Sequence, residues 1–422
     1  MNYIDGRLYI GFGNQYSVAF CVQASAQLAI QIPVPTSIDE ASVLFPAELA
    51  RRNTSLVSMH IPDGYLGPQT YIPAFGVMAA FWSAATAKVK KTLRLKQVPM
   101  LALGAAFTFV IMMFNVPIPG GTTGHATGAV LVAILFGPWA ATVVVSLALI
   151  VQALLFGDGG VTAIGANCFN MAVVCPFVGW WAYRAIAGLS LPGSRRHIAG
   201  GAIGGWLGLS AAALAAGVEF GIQPGLSHDA AGRALYCPFG LSVSVPAMVA
   251  SHMLVFGVIE GVVTALVIAY FQRTAPEMLG SLTSGVRRPA TVFTRAATAL
   301  AVLTVLVPLG LYLPAHFHAG AAWGEWSGAE VKAEIAKTTG TPGYVPQGIQ
   351  RAEEHGWKAL MPDYSLPGQS DAPLPKQSVL YILAGAVGAI IVGMALLLTR
   401  GVLASKDTEP APGTGETVTH EA

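Results

Sequence analysis

Charge is what this chain of 422 residues has least of: 10% of its residues are Asp, Glu, Lys or Arg, against 54% hydrophobic. With a mean hydropathy of +0.60, that balance excludes an ordinary soluble enzyme and places the chain among membrane proteins. The net charge of +2 comes from a few anchoring clusters and gives no support for nucleic-acid binding. Cys21, Cys168, Cys175 and Cys237 show no CxxC or zinc-finger spacing, and all four read as packing residues. A GxxxxGK[ST] phosphate loop is missing, so any ATP must be hydrolysed by a partner.

What is present is a series of apolar runs, each long enough to cross about 30 Å of hydrocarbon with roughly 20 residues. They lie at about 71–87, 98–116, 138–156, 160–187, 199–220, 242–271, 296–314 and 378–400, with a short ninth at 125–136. The runs are continuous rather than alternating, so helices are the spanning form. The expected fold class is all-α, a polytopic helical bundle with a seven-span core and a two-span C-terminal unit.

Lys and Arg accumulate in cytoplasmic loops close to helix ends. Lys88, Lys90, Lys91, Arg94 and Lys96 follow the first span; Arg195 and Arg196, then Arg273, Arg287 and Arg288, and finally Arg400 and Lys406 mark later loops. Nine spans place all these clusters inside. His60, His125, the Gly157-Asp158-Gly159-Gly160 turn and residues 315–377 then share the outer side.

Five parts are expected: an N-terminal extension at 1–58, a core at 59–275, a linker at 276–292, a two-span unit at 293–405 with an exterior loop at 315–377, and a disordered tail at 406–422. The run from Val18 to Ile32 is broken by Gln23, Gln27 and Gln31, which makes it a poor signal peptide and a poor span. The extension reads as dispensable, with Met59 a possible true start.

His60 and His125 flank a membrane hairpin and can bind one metal, or can be interfacial histidines bonded to backbone. Asp158, between glycines, either ends a helix or orients an imidazole by accepting its second N–H. Asn167 and Asn170 should face the bundle, bracing the metal loops or bonding neighbouring helices. His252 and Glu260 lie eight apart in one span, and a structural polar contact is the expected role. His316 and His318 alternate in the exterior loop. Gly76, Ala80 and Ala84 recur every fourth residue, suited either to a docking partner or to packing within the bundle.

Several segments together resemble the CbiM/NikM family, the substrate-binding membrane component of cobalt/nickel energy-coupling-factor (ECF) transporters. They are Met59-His60-Ile61-Pro62-Asp63-Gly64-Tyr65-Leu66, then Asn115-Val116-Pro117-Ile118-Pro119-Gly120-Gly121-Thr122-Thr123-Gly124-His125, then Gln152 to Gly160 with Gly165-Ala166-Asn167 and Asn170-Met171, and Glu260-Gly261-Val262-Val263-Thr264. Gly324-Glu325-Trp326 and Pro362-Asp363-Tyr364 make the two-span unit similar to a fused CbiN/NikN-type or PDGLE-type partner.

The resemblance implies that the metal is held by an N-terminal amine, the next residue's backbone nitrogen and imidazole, and a later histidine; these roles fall on Met59, His60 and His125. An amine followed by His forms fused five- and six-membered chelate rings, and four nitrogens in a plane suit Ni(II) or Cu(II), with Co(II) admitted at some geometric cost. In the chain as it stands Met59 has no free amine. The implied function is capture of Ni(II) or Co(II) outside the cell membrane and ATP-driven import, with a CbiQ/NikQ-like coupling subunit and CbiO/NikO-like ATPases as partners. No prosthetic group is expected, and the C-terminus is cytoplasmic. An intramembrane metallohydrolase using the same histidines is the alternative, weakened by the absence of H-E-x-x-H.

Overall fold

A computed structural model describes residues 2–4, 7–12 and 16–20, and then 60–118, 123–191, 193–276, 279, 290–320, 326–339, 342–369 and 372–404. Met59, Cys21 and the tail at 406–422 therefore lie outside the described residues, as does most of the linker at 276–292. Residues 1–44 and 45–422 form two compact units. In the first, β1 (Asn2–Ile4), β2 (Arg7–Phe12) and β3 (Tyr16–Phe20) pair antiparallel in sequence order. The hydropathy reading did not foresee this meander, because short strands rich in Tyr, Ile, Val and Phe leave no long apolar run.

The second unit is helical. Among the described residues eight helices are long and apolar enough to cross a membrane, and the protein is a multi-pass membrane protein. α1 (Pro68–Thr92) opens with Pro at its first position and ends on Lys90 and Lys91, each favourable at its terminus. α2 (Val98–Met112) follows and runs back toward the loop that carries His60.

The 125–136 run is not a full span. Its helix, α3 (Ala129–Phe136), has eight residues, about 12 Å at 1.5 Å per residue. Preceding it, β4 (Val116–Pro117) and β5 (Thr123–Gly124) form a two-residue ladder, so the chain dips into the bundle as irregular backbone before α3 begins. Such backbone is tolerated at membrane depth only where protein covers it, and residues 123–135 are all buried. Gly137, at φ 89, reverses the chain into α4 (Pro138–Val151), which returns to the same end as α2.

Among the described residues three π-helical turns interrupt the bundle. Gln152–Phe156 extends α4, Phe169–Val174 separates α5 (Ile164–Cys168) from α6 (Cys175–Ala187), and His252–Phe256 separates α8 (Leu241–Ser251) from α9 (Gly257–Thr274). The expected 160–187 run begins its helix only at Ile164, because 157–163 is a turn against His60. Between them α7 (Arg195–Gly221) packs closely on both neighbours. A Cβ at Gly204 would lie 2.6 Å from the Gly179 carbonyl oxygen, and one at Gly205 2.9 Å from that of Glu260, so only glycine permits these approaches.

Behind the core come α10 (Ala290–Leu306), α11 (Leu309–Phe317), α12 (Gly328–Thr339), α13 (Gln347–His355) and α14 (Leu374–Leu398). The segment between α11 and α14 is tied to the core by backbone: Met361 N donates to the Leu155 carbonyl at 2.8 Å and Gly348 N to that of Leu235 at 2.7 Å. The Trp357 indole donates to the Leu154 carbonyl at 2.7 Å. Cys168, Cys175 and Cys237 are buried, unlinked thiols.

Candidate metal centre

The chain from His60 to Gly67 is held as a rigid strip. Asn167 grips the peptide groups flanking Ile61 with both ends of its amide: Oδ1 accepts from Ile61 N at 2.9 Å, and Nδ2 donates to the Ile61 carbonyl at 3.0 Å. Gly160 N donates to that carbonyl at 2.9 Å. Two residues on, the Asp63 carboxylate accepts from Val161 N at 3.1 Å and Thr162 N at 2.8 Å, satisfying backbone donors ahead of α5. At Gly159, φ is +85°, and a Cβ would stand 2.9 Å from His60 Cβ. The backbone there thus depends on glycine twice, for conformation and for space.

His60 donates from Nδ1 to Asp158 Oδ1 at 2.5 Å, both side chains being buried. Asp158 Oδ2 accepts from the Tyr364 hydroxyl, and Gln152 Nε2 donates to that hydroxyl oxygen at 2.9 Å. Burial alone would raise the Asp158 carboxyl; the charge of His60 and hydrogen bonds from His60 and Tyr364 outweigh it and hold the group below its ordinary value. Tyr364 also stacks on Phe156, with ring centroids 4.9 Å apart and 22° between planes. A residue of the C-terminal unit thereby becomes part of the His60 support.

His125 follows β5 directly and is fully buried, with its Nδ1 3.0 Å from the Ala126 carbonyl oxygen. Donation from Nδ1 to that carbonyl places the lone pair on Nε2. Burial, then the charge of His60, pushes the imidazole down from 6.5 to about 3, with His252 adding a smaller push and Asp158 opposing. It is neutral at physiological pH. The loop beyond it is anchored by Glu260, whose Oε2 accepts from Thr127 N at 2.7 Å and Gly128 N at 3.0 Å. Glu260 is thus a brace for the His125 loop.

The two rings meet edge to face, with centroids 5.3 Å apart and 67° between planes. A cavity of about 30 Å³ opens beside His60 and continues past Asn170 and Met171 to His252. Asn170 donates to Glu219 Oε2 at 2.6 Å rather than bracing the loops. Among the described residues no three His, Cys, Asp or Glu side chains converge as a ligand set.

The remaining sequence candidates lie elsewhere or outside view. Met59 and Gly120–Thr122 are outside the described residues. Gly76 and Ala80 are exposed and Ala84 half-buried on α1, and a Cβ at Gly76 would meet nothing within 4 Å, so the first two positions of this stripe are open. His316 and His318 are exposed at the end of α11. Sequence reading gave no site role to Asp63, Gln152 or Tyr364; all three stood inside quoted motifs, but nothing local signals that Tyr364 reaches Asp158.

Residues 60–278 match the sequence model of CbiM, the cobalt uptake substrate-specific transmembrane region, and residues 294–405 match the PDGLE domain. The chain belongs to the CbiM family. Its C-terminal unit is of the PDGLE type, so the Pro362-Asp363-Tyr364 turn that touches Asp158 belongs to the fused partner module. A fused nickel transport protein NikMN of Rhodobacter capsulatus is 42% identical over 356 residues, 82% of this chain and 98% of its own length. A cobalt transport protein CbiM of Acetohalobium arabaticum is 38% identical over 156 residues, 36% of this chain and 62% of its own. The crystal structure of a truncated transition metal transporter is 51% identical and covers 51% of this chain and 99% of its own, at a TM-score of 0.48.

Proposed function

We propose that this CbiM-family chain captures Ni(II) or Co(II) at the His60–His125 centre. It passes the ion across the membrane as the substrate-binding component of an ECF-type transporter. Separate ATPases hydrolyse ATP and act through a coupling membrane subunit. The observation that carries this reading is the meeting of two buried imidazoles, 5.3 Å apart, each with one nitrogen already engaged by a fixed acceptor. At His125 this bond sets the tautomer and orients Nε2 for a metal, while at His60 it holds the ring in the site until a metal takes Nδ1.

The ligand set is the Met59 amine, the His60 backbone nitrogen and imidazole, and His125. A six-membered chelate ring through the His60 backbone nitrogen closes only on Nδ1, the atom now bonded to Asp158. A half-turn of the ring about Cβ–Cγ frees Nδ1 and brings Nε2 beside its former place, where the same carboxylate accepts the Nε2–H. Asp158 then supports the imidazole in both states. The chelate requires a primary amine at Met59, whose pKa of about 8 lets a metal displace the proton near neutral pH. N-terminal sequencing of active protein is the check.

Orientation is supported by charge. Lys90 and Lys91 end α1, Arg195 and Arg196 open α7, Arg273 lies in the last turn of α9 and Arg400 follows α14. Each lies at the end of its helix opposite the His60 loop, and positive ends face the cytoplasm, which puts the centre outside. The Gly76-Ala80-Ala84 stripe, exposed on α1, is the face offered to the coupling subunit.

Equilibrium dialysis of the purified chain with Ni(II) tests the assignment. His125→Ala should abolish tight binding while the protein stays folded, because it removes a donor and little packing. Unchanged binding would overturn the site. The chain alone should show no ATPase activity, and robust hydrolysis by it would contradict the division of labour.

A further inference from the structure

His252 is buried in the wall of the same cavity as His60, but the centre described above does not use it. Its Nδ1 lies 2.6 Å from the Met248 carbonyl oxygen, four residues back, and 3.1 Å from Ser251 Oγ. Donation to that carbonyl fixes the Nδ1–H tautomer and leaves a lone pair on Nε2. That Nε2 is buried and has no hydrogen-bond partner. A bare imidazole lone pair among Leu209, Phe220 and Phe256 is costly, and buried polar groups are as a rule satisfied.

The surroundings point to what satisfies it. Asn170 Oδ1 is likewise buried without a partner, its Nδ2 being committed to Glu219. Asn170 lines the cavity, as do Met171 and Met248. The donors presented are therefore one imidazole nitrogen, one amide oxygen and two thioether-bearing side chains, all neutral. Imidazole suits nickel and cobalt, while thioethers favour softer ions over Mg(II) or Ca(II). Two of the walls are π-helical turns, Phe169–Val174 and His252–Phe256, and such turns cluster at functional sites. The cavity's 30 Å³ admits a water molecule or a largely dehydrated ion and excludes a fully hydrated one.

We propose that His252 is the principal ligand of a second site for a divalent transition ion, beside the His60–His125 centre and weaker than it. The inference rests on the reading of that centre as the capture site. An ion leaving that chelate meets His252 within the same cavity. A neutral, incomplete donor set suits a station that must release its ion again, since conduction needs sites strong enough to enter and weak enough to leave.

Asn places its side-chain amide nitrogen where histidine has Nδ1, so His252→Asn keeps the bond to the Met248 carbonyl and deletes Nε2. The full chain in detergent is titrated with Co(II), followed by equilibrium dialysis and the visible d–d spectrum. Wild type should show a tight and a weaker class of site. His252→Asn should lose the weaker class, by about tenfold or more in affinity, and keep the tight one; His125→Ala should do the reverse. A weaker class that survives His252→Asn, or a single class in wild type, overturns the inference and means the cavity holds water. Tight binding that survives His125→Ala overturns the capture site instead, so the two failures are distinguishable. His252→Ala serves as a second variant, and a loss in Ala restored by Asn would assign His252 a purely structural role.

Discussion

Tyr364 donates a hydrogen bond to Asp158 across 206 positions of sequence, and Asp158 in turn holds His60. The hydroxyl belongs to the PDGLE unit and the carboxylate to the CbiM core. Fusion of the two modules thus places a donor of one inside the ligand support of the other.

Removing that donor should be felt at the metal. Tyr364→Phe keeps the stack on Phe156 but removes the short bond to Asp158 Oδ2, leaving that oxygen the longer contact from Gln152 Nε2 at 3.5 Å. Supports of this kind are worth about 10- to 100-fold in metal affinity, and a buried acceptor left unpaired costs about 1–3 kcal/mol. Ni(II) affinity should fall by about tenfold and the melting temperature should drop. Unchanged affinity would show that Asp158 holds His60 without help.

Asn167 is the second support. Asn167→Ala strands the Ile61 N–H and carbonyl in a buried site, at a cost of about 1–3 kcal/mol, and loosens the strip carrying His60. Thermal unfolding in detergent should show the loss, and Ni(II) dialysis should show weakened binding. Asn167→Asp, which retains the acceptor for Ile61 N, should lie between the two.

Asp363 makes the fold sensitive to pH. Burial first, then the negative charge of Asp158, raises its carboxyl from 3.8 to about 6. The folded protein therefore holds this proton more tightly than the unfolded chain. The stabilisation is complete below about pH 4 and is lost as pH rises through about 6. Asp363→Asn mimics the protonated acid, and Asn tolerates the left-handed backbone there, at φ 51. The variant should match wild type near pH 4 and melt higher at pH 8. Equal melting temperatures at pH 8 would contradict the raised value.

Continuous apolar runs were enough to locate the long helices, because burial in lipid writes itself into local composition. His60, His125 and Asp158 were legible as a group only through spaced motifs, and the structure brings all three together. Asn170 faces Glu219 instead of the metal loops, a pairing set by how α7 packs and invisible in either segment alone. The π-helical turns escaped detection because one extra residue in a turn leaves hydropathy unchanged while altering which side chains face the cavity. α3 was read as a short span for the same local reason: its sequence is apolar throughout, but burial by protein and burial by lipid look alike in composition.

X-ray absorption at the nickel edge of the Ni(II)-loaded full chain addresses the centre directly. The expected spectrum has a first shell of nitrogen donors with the multiple-scattering pattern of two imidazoles. His125→Ala should remove one imidazole contribution, and His60→Ala with His125→Ala should remove both. A shell of water-like oxygens, or an imidazole signal that persists in the double variant, would contradict the account.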